Sequence, residues 1–300
     1  MFLKQTCVYK AVNDCQVRAD VYRMPGDVAR PAILWLHGGA LIFGDRETLS
    51  PDQLQRYLEA GYAVIAADYR LAPEVKLGTV VEDLQDAYEW VCMNGPDLFH
   101  IDPERIAVVG QSAGGYLALM AGFCVNPRPR ALVSFYGYGD IAAAWYARPD
   151  PFYSQEPAVP RDEAYQAVGG AVITGTPFEG SLFEGRYRFY VYCRQQGLWP
   201  NEVAGHDPDE EPGWFDPFCP VRNVARDYPP TMLIHGDQDT DVPFEQSLLM
   251  AQEMARHGVE HELITMSNRG HAFDGEGMKD PTISNLFDRV LAFLEQQDVR

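Results

Sequence analysis

Cationic side chains are scarce in this chain of 300 residues: 24 Lys and Arg stand against 43 Asp and Glu, a formal net charge of -19. A phosphate backbone needs a basic face, so this balance argues against nucleic acid as a partner, and equally against an anionic membrane surface. Long apolar runs are missing too, and no stretch approaches the roughly 20 residues of a membrane span. The start, Met1-Phe-Leu-Lys-Gln-Thr6, lacks the charged-then-apolar layout of a secretory signal. The six cysteines (Cys7, Cys15, Cys92, Cys124, Cys193, Cys219) contain no Cys-x-x-Cys pair. Neither a zinc site nor a disulfide framework is indicated, and the expectation is free thiols in a reducing cytoplasm. Internal repeats and low-complexity tracts are absent. What remains is an ordinary globular composition, 46% hydrophobic and 22% charged, sufficient for one large α/β domain or one domain with an insertion.

The apolar pattern alternates between two periods. Thr6 to Val12 and Gln16 to Tyr22 read as a hairpin turning at Asn13-Asp14. Continuous apolar runs at Pro31–Leu36, Tyr62–Ala67, Ile106–Val109, Ala131–Tyr136, Thr231–His235 and Glu262–Met266 read as buried strands. Helical spacing appears at Glu47–Ala60, Thr79–Met93, the stretch after Ser112, Glu245–His257 with Gly258 beyond it, and Thr282–Gln297. Strands alternating with helices predict an α/β fold with a mostly parallel sheet and helices on both faces. Residues 138–220 break the rhythm. Sixteen Phe, Tyr and Trp residues fall between Tyr138 and Phe218, where even spacing would place about ten. The expectation is a catalytic core of residues 1–137 and 221–300, with 138–220 inserted as a cap over the C-terminal strand ends, where ligands of open α/β sheets bind.

Ile106-Ala-Val-Val-Gly-Gln-Ser112-Ala-Gly-Gly-Tyr-Leu-Ala-Leu-Met120 is the stretch around which the rest is organised. A strand, a G-x-S-x-G turn and a helix follow one another. The turn would hold the Ser112 hydroxyl at a strand tip beside a helix N-terminus, in a strained backbone that the small neighbours permit. A serine needs a base, and the base a partner. His271, in the loop Arg269-Gly-His-Ala-Phe273 after the last strand, has the chain position of the base. His235 ends a strand and reads as structural, while His37 would brace the glycine pair that follows it. For the acid, the loop His235-Gly-Asp-Gln-Asp-Thr-Asp-Val-Pro243 offers Asp237, Asp239 and Asp241, and spacing alone does not choose among them. Negative charge developing on a carbonyl oxygen needs aimed backbone N–H groups. Gly38, Gly39 and Ala113 are the candidates.

Four stretches together are similar to the α/β-hydrolase superfamily, and within it to the hormone-sensitive-lipase-like esterases. They are His37-Gly-Gly-Ala-Leu-Ile-Phe-Gly44, Asp68-Tyr-Arg-Leu-Ala-Pro-Glu74, Asp102 to Gly115, and His235 to Pro243 with Gly270-His-Ala-Phe273. The resemblance implies an α/β-hydrolase fold with Ser112 as nucleophile, His271 as base and Asp239 as its orienter. Asp237 and Asp241 are then loop-bracing or solvated carboxylates, and the Asp68–Glu74 stretch is structural. Ala40 replaces the family's third glycine, and Gln111 stands where an acidic residue or histidine is commoner. The implied activity is hydrolysis of small-molecule carboxylic esters with short to medium acyl chains, an aromatic group included, with no metal or other cofactor. An amidase, an arylformamidase-like enzyme, a sugar-ester deacetylase or a peptidase would share this apparatus. An acyltransferase and a binding protein without turnover are the readings of another class.

Overall fold

A computed structural model describes residues 1–176, 184–297 and 299. Among these, eight strands form one sheet in the order β1-β2-β4-β3-β5-β6-β7-β8. The strands are β1 Leu3–Val12, β2 Cys15–Arg23, β3 Arg30–Leu36, β4 Ala63–Ala67, β5 Ile101–Gln111, β6 Ala131–Phe135, β7 Thr231–Gly236 and β8 His261–Met266. The β1–β2 hairpin joins β4 antiparallel, and every pair from β4 to β8 is parallel. The expected α/β architecture is therefore present, with a hairpin edge on a parallel sheet.

Period-two alternation divides the core. On β3, Ala32, Leu34 and Leu36 face one apolar cluster while Ile33 and Trp35 face another. Against the first pack α2 (Leu77–Phe99), α3 (Ala113–Cys124) and α8 (Glu245–His257); against the second pack α1 (Pro51–Glu59) and α9 (Pro281–Gln296). Both faces of the central parallel strands β3, β4, β6 and β7 are thereby removed from water, as near-continuous apolar sequence requires.

Two helix expectations need correction. Residues 46–48 form a separate 3-10 turn capped by Asp45, and the helix begins only at Pro51. Ser50-Pro51 is the true start, because proline fits the first helical position, where its missing N–H is no loss. Conversely, α2 runs six residues past Met93, through Gly95 and Pro96, to a left-handed His100. Gly95 leaves room for Ile101 to pack there, and buried Phe99 anchors the last turn.

Between β6 and β7 lie the short helices α4 (Ala144–Ala147) and α5 (Arg161–Ala164), then α6 (Gly185–Gln196) and α7 (Trp199–Ala204). Part of the expected 138–220 segment, residues 177–183, lies outside the described residues. The described remainder is fastened to the sheet. Trp199 Nε1 donates to Ala40 O at 3.0 Å, Arg186 pairs with Glu74 at 2.7 Å and donates to Ile42 O, and Tyr146 stacks on Trp199 at 4.1 Å. All of its described aromatic residues except Phe152 belong to or pack against the same apolar cluster as α2 and α3.

Candidate active site

Ser112 sits between β5 and α3 with φ 54° and ψ -117°. That left-handed turn costs a non-glycine residue on the order of 1–3 kcal/mol, and it aims the side chain out of the sheet. Close approach explains the two flanking glycines. A Cβ on Gly110 would lie 2.0 Å from Gly114 O, and one on Gly114 would lie 2.0 Å from Leu36 O. Either would drive α3 away from the strands it must touch.

His271 reaches this hydroxyl from the loop after β8. Its Nε2 lies 3.0 Å from Ser112 Oγ, and its Nδ1 lies 2.7 Å from Asp239 Oδ2. Asp239, on the loop after β7, has no exposed side-chain surface. Its Oδ1 accepts the backbone N–H groups of Asp241 and Val242, both at 2.9 Å. Burial alone would raise its pKa, yet the donors from His235, His271 and the backbone hold it well below the usual carboxylate range. The carboxylate is therefore charged at all ordinary pH. His271 has the opposite balance: burial pulls its pKa down, but the charges of Asp241, Asp239 and Asp274 outweigh this and raise it.

The glycine loop lies alongside. A Cβ on Gly38 would come within 3.2 Å of Ser112 Cβ, so this backbone runs past the nucleophile's own carbon. Gly39 has φ +107°, and a Cβ there would strike Phe43 O at 2.0 Å. His37 braces the loop as expected, its Nδ1 donating to Gly38 O at 2.7 Å while Tyr69 stacks on its ring at 4.1 Å. Burial lowers the pKa of His37 to about 4, so it stays neutral. Ala40 and Leu41, with φ 54° and 63°, carry the turn that a third glycine would otherwise ease. Ala113 N–H lies in the first turn of α3, where helix amides have no intrahelical partner.

These groups line one cavity of about 470 Å³, walled by Gly38–Ala40, Phe43, Ser112, Tyr136, His271 and, from the insertion, Tyr153, Tyr187 and Tyr190. Three features escaped the sequence reading. Asp241 is not a solvated loop carboxylate: it lines the cavity, with Oδ2 3.5 Å from His271 Nε2. His235 is buried and structural, but its Nε2 also lies 3.2 Å from Asp239 Oδ2. Asp274 accepts from Tyr136 Oη at 2.6 Å and from Gln111 Nε2, which gives Gln111 a buried partner. Of the remaining loop aspartates, Asp237 does brace a turn, accepting Asn268 N–H at 2.6 Å. Among the described residues, no group of three or more His, Cys, Asp or Glu side chains is placed to hold a metal ion, and no helix is long and apolar enough to cross a membrane.

Comparison with known proteins bears on the fold. The BD-FAE family model matches residues 19–142, and that of the prolyl oligopeptidase family matches residues 188–298. An α/β-hydrolase superfamily protein from Enterococcus faecalis superposes with a TM-score of 0.74 over 98% of this chain and 99% of its own, at 22% identity. The chain has the α/β-hydrolase fold. A second structure, the acetyl ester-xyloside bifunctional hydrolase of Caldicellulosiruptor lactoaceticus, gives 0.70 over 96% and 90% at 20% identity. By sequence, the chain is 30% identical over 90% of its length to the non-reducing polyketide synthase Preu6 of Preussia isomera. It spans only 14% of that synthase, so the whole synthase's activity is not implied.

Proposed function

We propose that this protein of α/β-hydrolase fold is a serine esterase of the hormone-sensitive-lipase-like kind. The observation that carries the reading is the unbroken relay Ser112 Oγ, His271 Nε2, His271 Nδ1, Asp239 Oδ2, with links of 3.0 and 2.7 Å. Asp239 accepts from Nδ1–H and so leaves the lone pair of Nε2 facing the serine. Ser112 Oγ attacks the ester carbonyl carbon as its proton passes to Nε2. The carbonyl oxygen takes up negative charge, and the N–H groups of Gly38, Gly39 and Ala113 are its donors. Collapse expels the alcohol, which takes the proton from Nε2. Water then repeats the sequence on the acyl-enzyme and releases the acid.

The substrate in this reading is a small-molecule ester with a short to medium acyl chain, and the Phe43, Tyr153, Tyr187 and Tyr190 walls suit an aromatic group. Residues 138–220 act as the specificity-building insertion. Neither nucleic acid nor membrane is a partner, in keeping with the net charge of -19, and the compartment is the cytoplasm. The test is labelling with a fluorophosphonate together with turnover of p-nitrophenyl esters from acetate to decanoate. Labelling should vanish in Ser112→Ala, and turnover should vanish in His271→Ala with the fold retained. Labelling that survives Ser112→Ala refutes the assignment. Equal rates across chain lengths count against the aromatic-walled acyl site, and faster cleavage of matched anilides would move the reading to an amidase.

A further inference from the structure

The reaction above makes no use of Asp241, yet this carboxylate is held more firmly than a bystander would be. Its Oδ1 accepts from Tyr153 Oη at 2.9 Å, from Tyr190 Oη, and from Arg194 Nη1 at 2.9 Å. Arg194 is wholly buried and also pairs with Asp150, so two carboxylates share one guanidinium and the cluster keeps one negative charge in excess. All three Oδ1 donors come from the insertion. Oδ2 is left facing the cavity, 3.5 Å from His271 Nε2, the nitrogen that also stands 3.0 Å from Ser112 Oγ. The described residues that line this cavity include no Lys or Arg.

Position fixes what Oδ2 can meet. In acyl transfer His271 Nε2 hands its proton to the departing oxygen, which must lie within hydrogen-bond reach, about 3 Å. Oδ2 lies at a similar distance from the same nitrogen. A donor on the second carbon from the departing oxygen, gauche to it, sits about 3 Å from that oxygen and can bridge to Oδ2 with a further hydrogen bond of about 3 Å. An oxygen or nitrogen two bonds farther along the leaving group would overshoot. Resting on the esterase reading, we propose that Asp241 Oδ2 forms a leaving-group subsite, and that the preferred substrates are esters whose alcohol carries a hydroxyl or ammonium donor vicinal to the scissile oxygen. A leaving group with a carboxylate there meets the negative charge of Asp241, with no Lys or Arg among the described lining residues to offset it.

The experiment compares kcat/KM for 2-hydroxyethyl, 2-(dimethylammonio)ethyl, 2-methoxyethyl and 2-carboxyethyl butyrates, each normalised to its rate with hydroxide. A hydrogen bond to a charged acceptor predicts that the hydroxyl ester, the ammonium ester or both exceed the methoxy ester by about tenfold to a hundredfold. Which of the two leads identifies the donor, and the carboxylate ester should be slowest. In Asp241→Asn, the ratio of the leading donor ester to the methoxy ester should fall at least tenfold, and this ratio cancels any general loss of activity. A flat wild-type series overturns the subsite, and it does so whether or not the variant folds. An equal loss on every ester in Asp241→Asn also overturns it, because a carboxylate that only braces the insertion or orients the hydrolytic water would act on all substrates alike. These failures differ from failure of the esterase reading itself, in which none of the esters turns over and Ser112 takes no fluorophosphonate.

Discussion

Asp239→Asn is the sharpest perturbation of the relay, because it changes one atom and inverts the demand on its neighbours. Four donors converge on the carboxylate: two backbone N–H groups on Oδ1 at 2.9 Å, and His271 Nδ1 at 2.7 Å with His235 Nε2 at 3.2 Å on Oδ2. An amide offers one acceptor and one donor. Its NH2 cannot face the backbone pair, since those protons cannot leave, so it must turn toward the imidazoles. His235 cannot adapt, because its Nε2–H is also held by Val242 O at 3.0 Å while Ser247 Oγ lies 2.7 Å from Nδ1. His271 must therefore accept at Nδ1 and carry its proton on Nε2, the side that should receive the proton of Ser112. The expected loss in kcat/KM is about 10⁴, or about 5.5 kcal/mol at 1.36 kcal/mol per decade. The melting free energy should fall by only about 1–3 kcal/mol. Initial rates on p-nitrophenyl butyrate with a parallel thermal melt measure both. Asp237→Asn is the comparator: its carboxylate accepts from Asn268 N–H on the exterior of the same loop, and its loss should be under about threefold. If Asp239→Asn retains more than a tenth of wild-type kcat/KM, or if Asp237→Asn is the worse variant, the tautomer argument fails.

Three further expectations follow from the same contacts. Because nearby carboxylates raise the pKa of His271 and the base works only when neutral, kcat/KM should fall with decreasing pH through an inflection above the ordinary imidazole value of about 6.5. Asp241→Asn should move that inflection to lower pH, and a pH–rate profile from 5 to 9 that shifts the other way would refute the assigned cause. Gly39→Ala forces a Cβ against Phe43 O in a backbone with φ +107°. It should displace the glycine loop and lower kcat by about 10²–10³, which circular dichroism must accompany to show an intact fold; near-wild-type activity would remove this loop from the oxyanion site. Arg186→Met strands the buried Glu74 carboxylate and should cost about 3–5 kcal/mol, roughly 5–8 °C in melting temperature. Glu74→Gln in that background should recover part of the loss, and an unchanged melt in Arg186→Met would show that the latch contributes nothing.

The sheet, Ser112 and His271 are legible in the sequence because each rests on a short-range signal. Each β-branched run became a strand, and Gly258 ended α8 at a left-handed turn with φ 70°, as a glycine C-cap should. The insertion was less legible. Eight of the twelve residues of α6 are buried on several sides, from Arg186 to Gln195, so no polar face reveals the 3.6 period. Helix ends were less legible: the expected Glu47–Ala60 helix begins only at Pro51, and α2 continues past the expected Met93 through Gly95-Pro96 to Phe99. Among the three aspartates, spacing could not separate the acid from its neighbours. Asp239 and Asp241 are two residues apart and both approach His271, one at Nδ1 and the other at Nε2. Only the resemblance favoured Asp239, and nothing short of the Arg194 contacts shows what Asp241 is held to.

The fastening of the insertion has a consequence for traffic through the cavity. Arg186 on Glu74, Trp199 on Ala40 and Arg194 on Asp241 tie it to three different loops of the sheet. A swing of this segment as one rigid door would break all three at once, including two ion pairs whose arginines are buried. On the proposed esterase reading, selection falls to the standing shape of the tyrosine wall, and replacing a wall residue should change which esters are accepted without changing how often the site is open.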